Sequence, residues 1–81
     1  MTARLRRLSA REVLRALDHF GFEVASTRGS HAKLIRESSD GTRQILTVPL
    51  HNELAPGTLR AILRQAGRYI PEDELRSFFY C

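Results

Sequence analysis

Ser38-Ser39-Asp40-Gly41 separates two runs in which apolar residues recur at every second position. In the run before it, Ala32 and Leu34 fall on one side while His31, Lys33 and Ile35 fall on the other. In the run after it, Gln44, Leu46 and Val48 alternate with Arg43, Ile45 and Thr47. A period of two is the period of a strand, and Asp-Gly supplies the positive-φ positions a tight hairpin connection requires. The chain is therefore committed to an antiparallel ribbon. A lone two-stranded hairpin is marginal in water, so the flanking sequence must provide a further strand and a cover for one face.

Both are present. Upstream, Phe22 to Thr27 reads as a third strand, parted from the second by the weaker turn signal Arg28-Gly29, and Pro49 closes the last strand. Ahead of the strands, Ser9 and Glu12 have capping-box spacing, and Leu8 and Val13 have the spacing of a hydrophobic staple. Val13, Leu14, Leu17 and Phe20 make one apolar stripe and Gly21 supplies the stop, so the spacing predicts a helix over Ala10 to Phe20. Behind the strands, Pro56 fits the first position of a second helix. Leu59, Ile62, Leu63 and Ala66 form its stripe, and Gly67 is placed to end it. A short last helix is expected to open at Pro71, with Glu72 and Asp73 in its first turn and Leu75, Phe78 and Phe79 docking it. The order α-β-β-β-α with a short extra C-terminal helix predicts an α+β domain: a three-stranded antiparallel sheet with its helices on one face.

Eighty-one residues leave room for one domain, 1–81, of modest stability. No apolar run approaches the roughly 20 residues that span a bilayer. The basic N-terminus lacks the apolar core of a secretory signal. The one cysteine, Cys81, excludes a disulfide framework. A cytoplasmic setting is the expectation. The net charge of +4 is unevenly spread: residues 1–36 carry eight basic and three acidic side chains, residues 37–81 five and six. Twelve of the thirteen cations are arginine, suited to bidentate phosphate contact. Clustered basic charge is the footprint of nucleic-acid binding, though a basic solvated surface has the same composition.

Chemistry concentrates at Arg28-Gly29-Ser30-His31-Ala32-Lys33, where Arg28, Lys33 and Arg36 surround His31 in sequence. Histidine exchanges a proton near neutral pH, a glycine allows close backbone approach, and the cations can hold a phosphate. That set suits attack of an RNA 2′-hydroxyl on its adjacent phosphate, with a base taking the proton and cations stabilising the phosphorane. Taken alone, Gly-Ser-His is short, and a polar residue opening an exposed strand accounts for it more simply. His51 fits a loop or capping residue, and His19 complements the end of the first helix. No close ligand pairing supports a metal site. Arg60, Arg64 and Arg68, like Arg4, Arg6 and Arg7, are possible phosphate contacts, but a solvated face is the usual meaning of such rows.

The stretches "REVLRALDHFGFEVASTRGSHAKL" and "TVPLHNELAPGTLRAILRQAG" together resemble the HicA toxins of type II toxin–antitoxin systems. The likeness runs from about Leu8 to Leu75. It rests on a helix ending in Gly-Phe, the Gly-Ser-His triplet, Val-Pro-x-His, and Gly-Thr-Leu-x-x-Ile-Leu-x-Gln-Ala-Gly, in that order. The resemblance implies a fold like a double-stranded-RNA-binding domain (dsRBD-like). It also implies an mRNA interferase that needs no metal or other cofactor, arrests translation, and is neutralised by a HicB antitoxin. The family's catalytic histidine falls on His31, and Gly29 and Ser30 match the residues before it; by their own chemistry Arg28, Gly29, Ser30 and Lys33 are the candidate RNA contacts. A non-catalytic RNA-binding module and a pure protein-interaction module are the readings that compete with it.

Overall fold

The computed structural model describes residues 3–81. Ala10–His19 form helix α1, Glu23–Arg28, His31–Glu37 and Arg43–Pro49 form strands β1, β2 and β3, and Pro56–Ala66 and Glu72–Phe79 form helices α2 and α3. The strands make one antiparallel sheet in the order β1-β2-β3. This is the expected α+β architecture, consistent with a dsRBD-like fold.

The ends of α1 are fixed by its own sequence. The Ser9 hydroxyl accepts the Glu12 N–H at 3.1 Å, and the Glu12 carboxylate accepts the Ser9 N–H at 2.9 Å, satisfying two donors that a helix start leaves free. These bonds, the one from the Ser9 backbone foremost, hold the Glu12 carboxyl below its ordinary pKa. At the other end Gly21 has φ +90° and donates to Asp18, while Phe22 donates to Leu17. The two bonds form a Schellman closure with glycine at the left-handed position. Phe20 is the cap and lies just past the last helical residue, His19.

α2 opens with Pro56 at its first position, as expected. Gly67, however, does not terminate it in the left-handed region: its φ of −63° is right-handed. The chain instead turns on through Arg68, Tyr69 and Ile70, whose N–H groups bond back to Gln65 and Ala66. The Gly67 N–H donates to the Leu63 carbonyl at 2.8 Å, an i to i−4 bond that extends the last turn of α2 instead of stopping it.

The core is formed where the helices meet one face of the sheet. Ala32 and Leu34 from β2 and Leu46 and Val48 from β3 are buried with Val13 and Leu17 of α1, Leu59, Ile62 and Ala66 of α2, and Leu75 and Phe79 of α3. Each large apolar side chain buried here contributes about 1.5–3 kcal/mol. Among the described residues the buried set is entirely apolar. β1 departs from the expectation that each strand would lay one side on the core, because every one of its residues is exposed. It is an edge strand beyond the shelter of the helices. A bulge at Ala25 also slips its register, so that Val24 pairs with Leu34 while Ser26 pairs with Lys33.

One connection had no sequence signal. Arg4 and Cys81 exchange backbone hydrogen bonds of 3.2 and 2.9 Å, and Arg6 N–H donates to Phe79 at 2.8 Å. The N-terminal segment is thereby paired with the end of α3. In the β2–β3 loop, Gly41 has φ +84°, and the Ser38 hydroxyl and the Thr42 N–H both donate to Asp40. Those donors, Ser38 foremost, lower the Asp40 pKa to about 2.

Candidate functional site

The β1–β2 connection is two residues, Gly29-Ser30, closed by the pair Arg28–His31. Gly29 has φ +57° and Ser30 does not share the positive φ, the pattern of a type II′ turn, whose twist suits a tight hairpin. A Cβ at position 29 would meet nothing within 4 Å. The turn conformation therefore demands the glycine, and the space above it stays open. The Ser30 carbonyl accepts the Leu50 N–H at 2.6 Å, which ties the turn to the end of β3.

Facing residues of an antiparallel pair share a side of the sheet. The register therefore places Arg28, His31 and Pro49 in one row, with Ser26, Lys33 and Thr47 in the next. A third row holds Glu23, Ile35 and Ile45. All three rows lie on the face away from the helices. Arg28 and His31 are opposite one another with Cα atoms about 5.5 Å apart, the spacing of a pair that closes a hairpin. Lys33 is about 7 Å along the same strand. Ser26, Arg28, His31, Lys33 and Thr47 line a shallow depression of about 400 Å³. Each of these side chains is exposed. His31 thus has a cation beside it and a second one two residues along, open to a large ligand.

Arg36 does not belong to this cluster, although the sequence groups it there. It lies on the opposite face, donating to the Phe20 carbonyl at 2.9 Å, the Tyr69 carbonyl at 3.0 Å and Gln44 Oε1 at 2.7 Å. Its guanidinium stacks 4.7 Å from the Phe22 ring. One side chain thereby ties the ends of α1 and α2 to the sheet. The physical reason is the period of two: Arg36 shares its face with Ala32 and Leu34.

The other candidates are also separated from His31. His51 lines a different hollow, beside Arg11 and Leu14 of α1, and its carbonyl accepts the Ala10 N–H at 3.0 Å. His19 packs its ring on Phe20 and Phe78, with centroids 5.2 and 4.8 Å away. The arginines at 60, 64 and 68 and those at 4, 6 and 7 line hollows that share no residue with the depression at His31. Among the described residues no group of three His, Cys, Asp or Glu side chains comes together as metal ligands. Sequence reasoning does not find Ser26, Ile45 and Thr47 as neighbours of the cluster. Their positions follow from the turn, since fixing Arg28 opposite His31 puts Ser26 opposite Lys33.

A family model described as the HicA toxin of bacterial toxin–antitoxin systems matches residues 10–67, which is 58 of the 81 residues. The chain belongs to the HicA toxin family. The HicA match begins at the first residue of α1, takes in the whole sheet and α2, and stops before α3. The N-terminal segment and α3, which pair with each other, lie outside it. A search of curated proteins found no match. Among the described residues no helix is long and apolar enough to cross a membrane.

Proposed function

We propose that this HicA protein is an endoribonuclease that cuts mRNA and so arrests translation, with His31 as the acid–base residue. The observation that carries the proposal is the placing of Arg28, His31 and Lys33 on one uncovered sheet face, in a chain of a toxin family. His31 accepts the proton of a ribose 2′-hydroxyl. The 2′-oxygen bonds to the adjacent phosphorus, the bond to the 5′-oxygen breaks, and that oxygen leaves after gaining a proton from solvent. Arg28 and Lys33 hold the non-bridging oxygens, on which charge grows in the phosphorane. Ile45, 42% exposed one row beyond Lys33, gives a base or ribose an apolar surface to rest on. Gly29 and Ser30 set the turn that presents His31 and leave room for the strand to approach. His31 takes the proton, the two cations hold the charge and solvent protonates the leaving oxygen, so the route needs no metal or other cofactor.

Such a toxin acts in the cytoplasm, where mRNA is translated, and is held inactive by a HicB-type antitoxin covering the same face. The experiment is incubation of the purified chain with single-stranded mRNA in EDTA. The products expected carry 2′,3′-cyclic phosphate and 5′-hydroxyl ends, and expression of the chain halts growth. RNA that is bound but left intact, with harmless expression, would instead establish a binding module. Ends bearing a 5′-phosphate would rule out the 2′-hydroxyl as nucleophile.

A further inference from the structure

A second cationic surface lies away from the depression at His31 and does not enter the chemistry proposed there. Leu59, Ile62 and Ala66 turn the core side of α2 inward. At 100° per residue Arg60 and Arg64 point to the far side, and Arg68 continues the row on the turn that follows. α3 packs alongside, so that Arg76 forms the opposite wall of a groove of about 510 Å³, with Leu63 and Leu75 between the two walls. Among the described residues Glu72 is the one carboxylate that lines the groove with these four guanidiniums, and it pairs with Arg76 at 3.8 Å. Through Arg60 and Tyr80 the groove continues into a second hollow that adds the arginines at 4, 6 and 7 and the carboxylate of Glu53.

We infer that this groove docks an acidic amphipathic helix of a protein partner. Arginines at every fourth residue stand about 6 Å apart along the axis, and carboxylates at every fourth residue of a partner helix recur at the same pitch. The planar guanidinium meets a carboxylate with two parallel hydrogen bonds. Leu63, which is only partly buried, receives the apolar stripe of such a helix, whereas a phosphodiester backbone offers it nothing to bury. One face of the Tyr80 ring is already taken by the Arg76 guanidinium, 4.8 Å from its centroid. Arg60 and Arg64 lie inside the residues matched to the HicA family and Arg68 and Arg76 outside them, so the groove is shared between the matched region and the segment that follows it. It shares no residue with the depression at His31. An occupant therefore leaves the sheet face open, and the inference stands whether or not the chain cleaves RNA.

The test uses the full chain and a fluorescent three-turn peptide with glutamates at every fourth position flanking a leucine stripe. A shuffled peptide of the same composition and a short oligouridine serve as comparisons. The designed peptide binds, the shuffled one binds about tenfold more weakly, and the double variant Arg64→Glu, Arg68→Glu loses about tenfold in affinity for the designed peptide. At about 0.3 M salt, where long-range attraction to the net charge is screened, that variant keeps its affinity for oligouridine within about twofold, because phosphate contacts lie elsewhere. Arg64→Lys with Arg68→Lys preserves charge and fold and loses part of the affinity, because an ammonium lacks the fork. Equal binding of the shuffled peptide overturns the inference, as does a designed peptide indifferent to both double variants. Parallel loss of peptide and oligouridine binding would reassign the groove to nucleic acid.

Discussion

Replacing Arg36 by alanine separates two jobs that the sequence merges. In the structure this guanidinium donates to two backbone carbonyls and to Gln44, and stacks on Phe22. A hydrogen bond from a charged donor contributes about 1.5–3 kcal/mol, and a partly desolvated cation–π contact about 0.5–2 kcal/mol. These terms are not additive, because water reaches part of the vacated space. A loss of about 3 kcal/mol is expected, out of the roughly 4–12 kcal/mol typical for a chain of this length. At a urea dependence of about 1.5 kcal/mol per molar, the midpoint falls by about 2 M with an unchanged slope. Arg36→Lys recovers less than half, because one ammonium replaces a fork that spans the ends of α1 and α2. Arg28→Ala, on the other face and exposed, shifts the midpoint by less than about 0.5 M, as a surface substitution does. Equal shifts for Arg28→Ala and Arg36→Ala would refute the assignment of Arg36 to the scaffold. So would a loss of RNA affinity by Arg36→Ala under conditions where circular dichroism shows it folded.

Three more outcomes are open to direct measurement. Gly29→Ala forces a side chain into a backbone of φ +57° and is expected to cost about 1–2 kcal/mol, lowering the melting temperature by about 4–8 °C per kcal/mol. Alanine at Arg28 or Lys33 weakens oligoribonucleotide binding and reduces the slope of log affinity against log salt by about 1 for each phosphate no longer engaged, whereas Arg43→Ala, three rows away from Arg28, leaves that slope unchanged. The Asp40 carboxyl is lowered from 3.8 to about 2 in the folded chain. Its contribution is therefore fully present above the unfolded value and is lost as pH falls through the folded one. Acid titration of stability between those two values should be shallower in Asp40→Asn than in the wild type.

What the sequence made legible was local. The Ser9–Glu12 box and the Gly21 stop are encoded within a few residues, and both form as their spacing implies. Strand order followed from short connections, and the face carrying His31 followed from alternation. Arg36 shows where charge misleads: the period of two already places it beside Ala32 and Leu34, yet its sign invites grouping with Arg28 and Lys33. The exposure of β1 depends on how far the helices reach across the sheet, which no stretch of β1 records. Pairing of Arg4 with Cys81 joins positions at opposite ends of the chain, and no periodicity announces it. Gly67 has the sequence position of a left-handed stop, yet its φ is right-handed and the chain turns on through it. The arginine groove arises only once α2, α3 and the N-terminal segment are packed together.

His31 carries the account, and one comparison tests it most directly. Wild type and His31→Ala, matched for fold by circular dichroism and for melting temperature, are incubated with the same single-stranded mRNA in EDTA. Cleavage by the variant is expected to fall by about 10²–10⁴-fold, the usual contribution of a positioned acid–base group, while RNA affinity stays within about threefold. His31→Ala that cuts RNA at the wild-type rate and still arrests growth would contradict it.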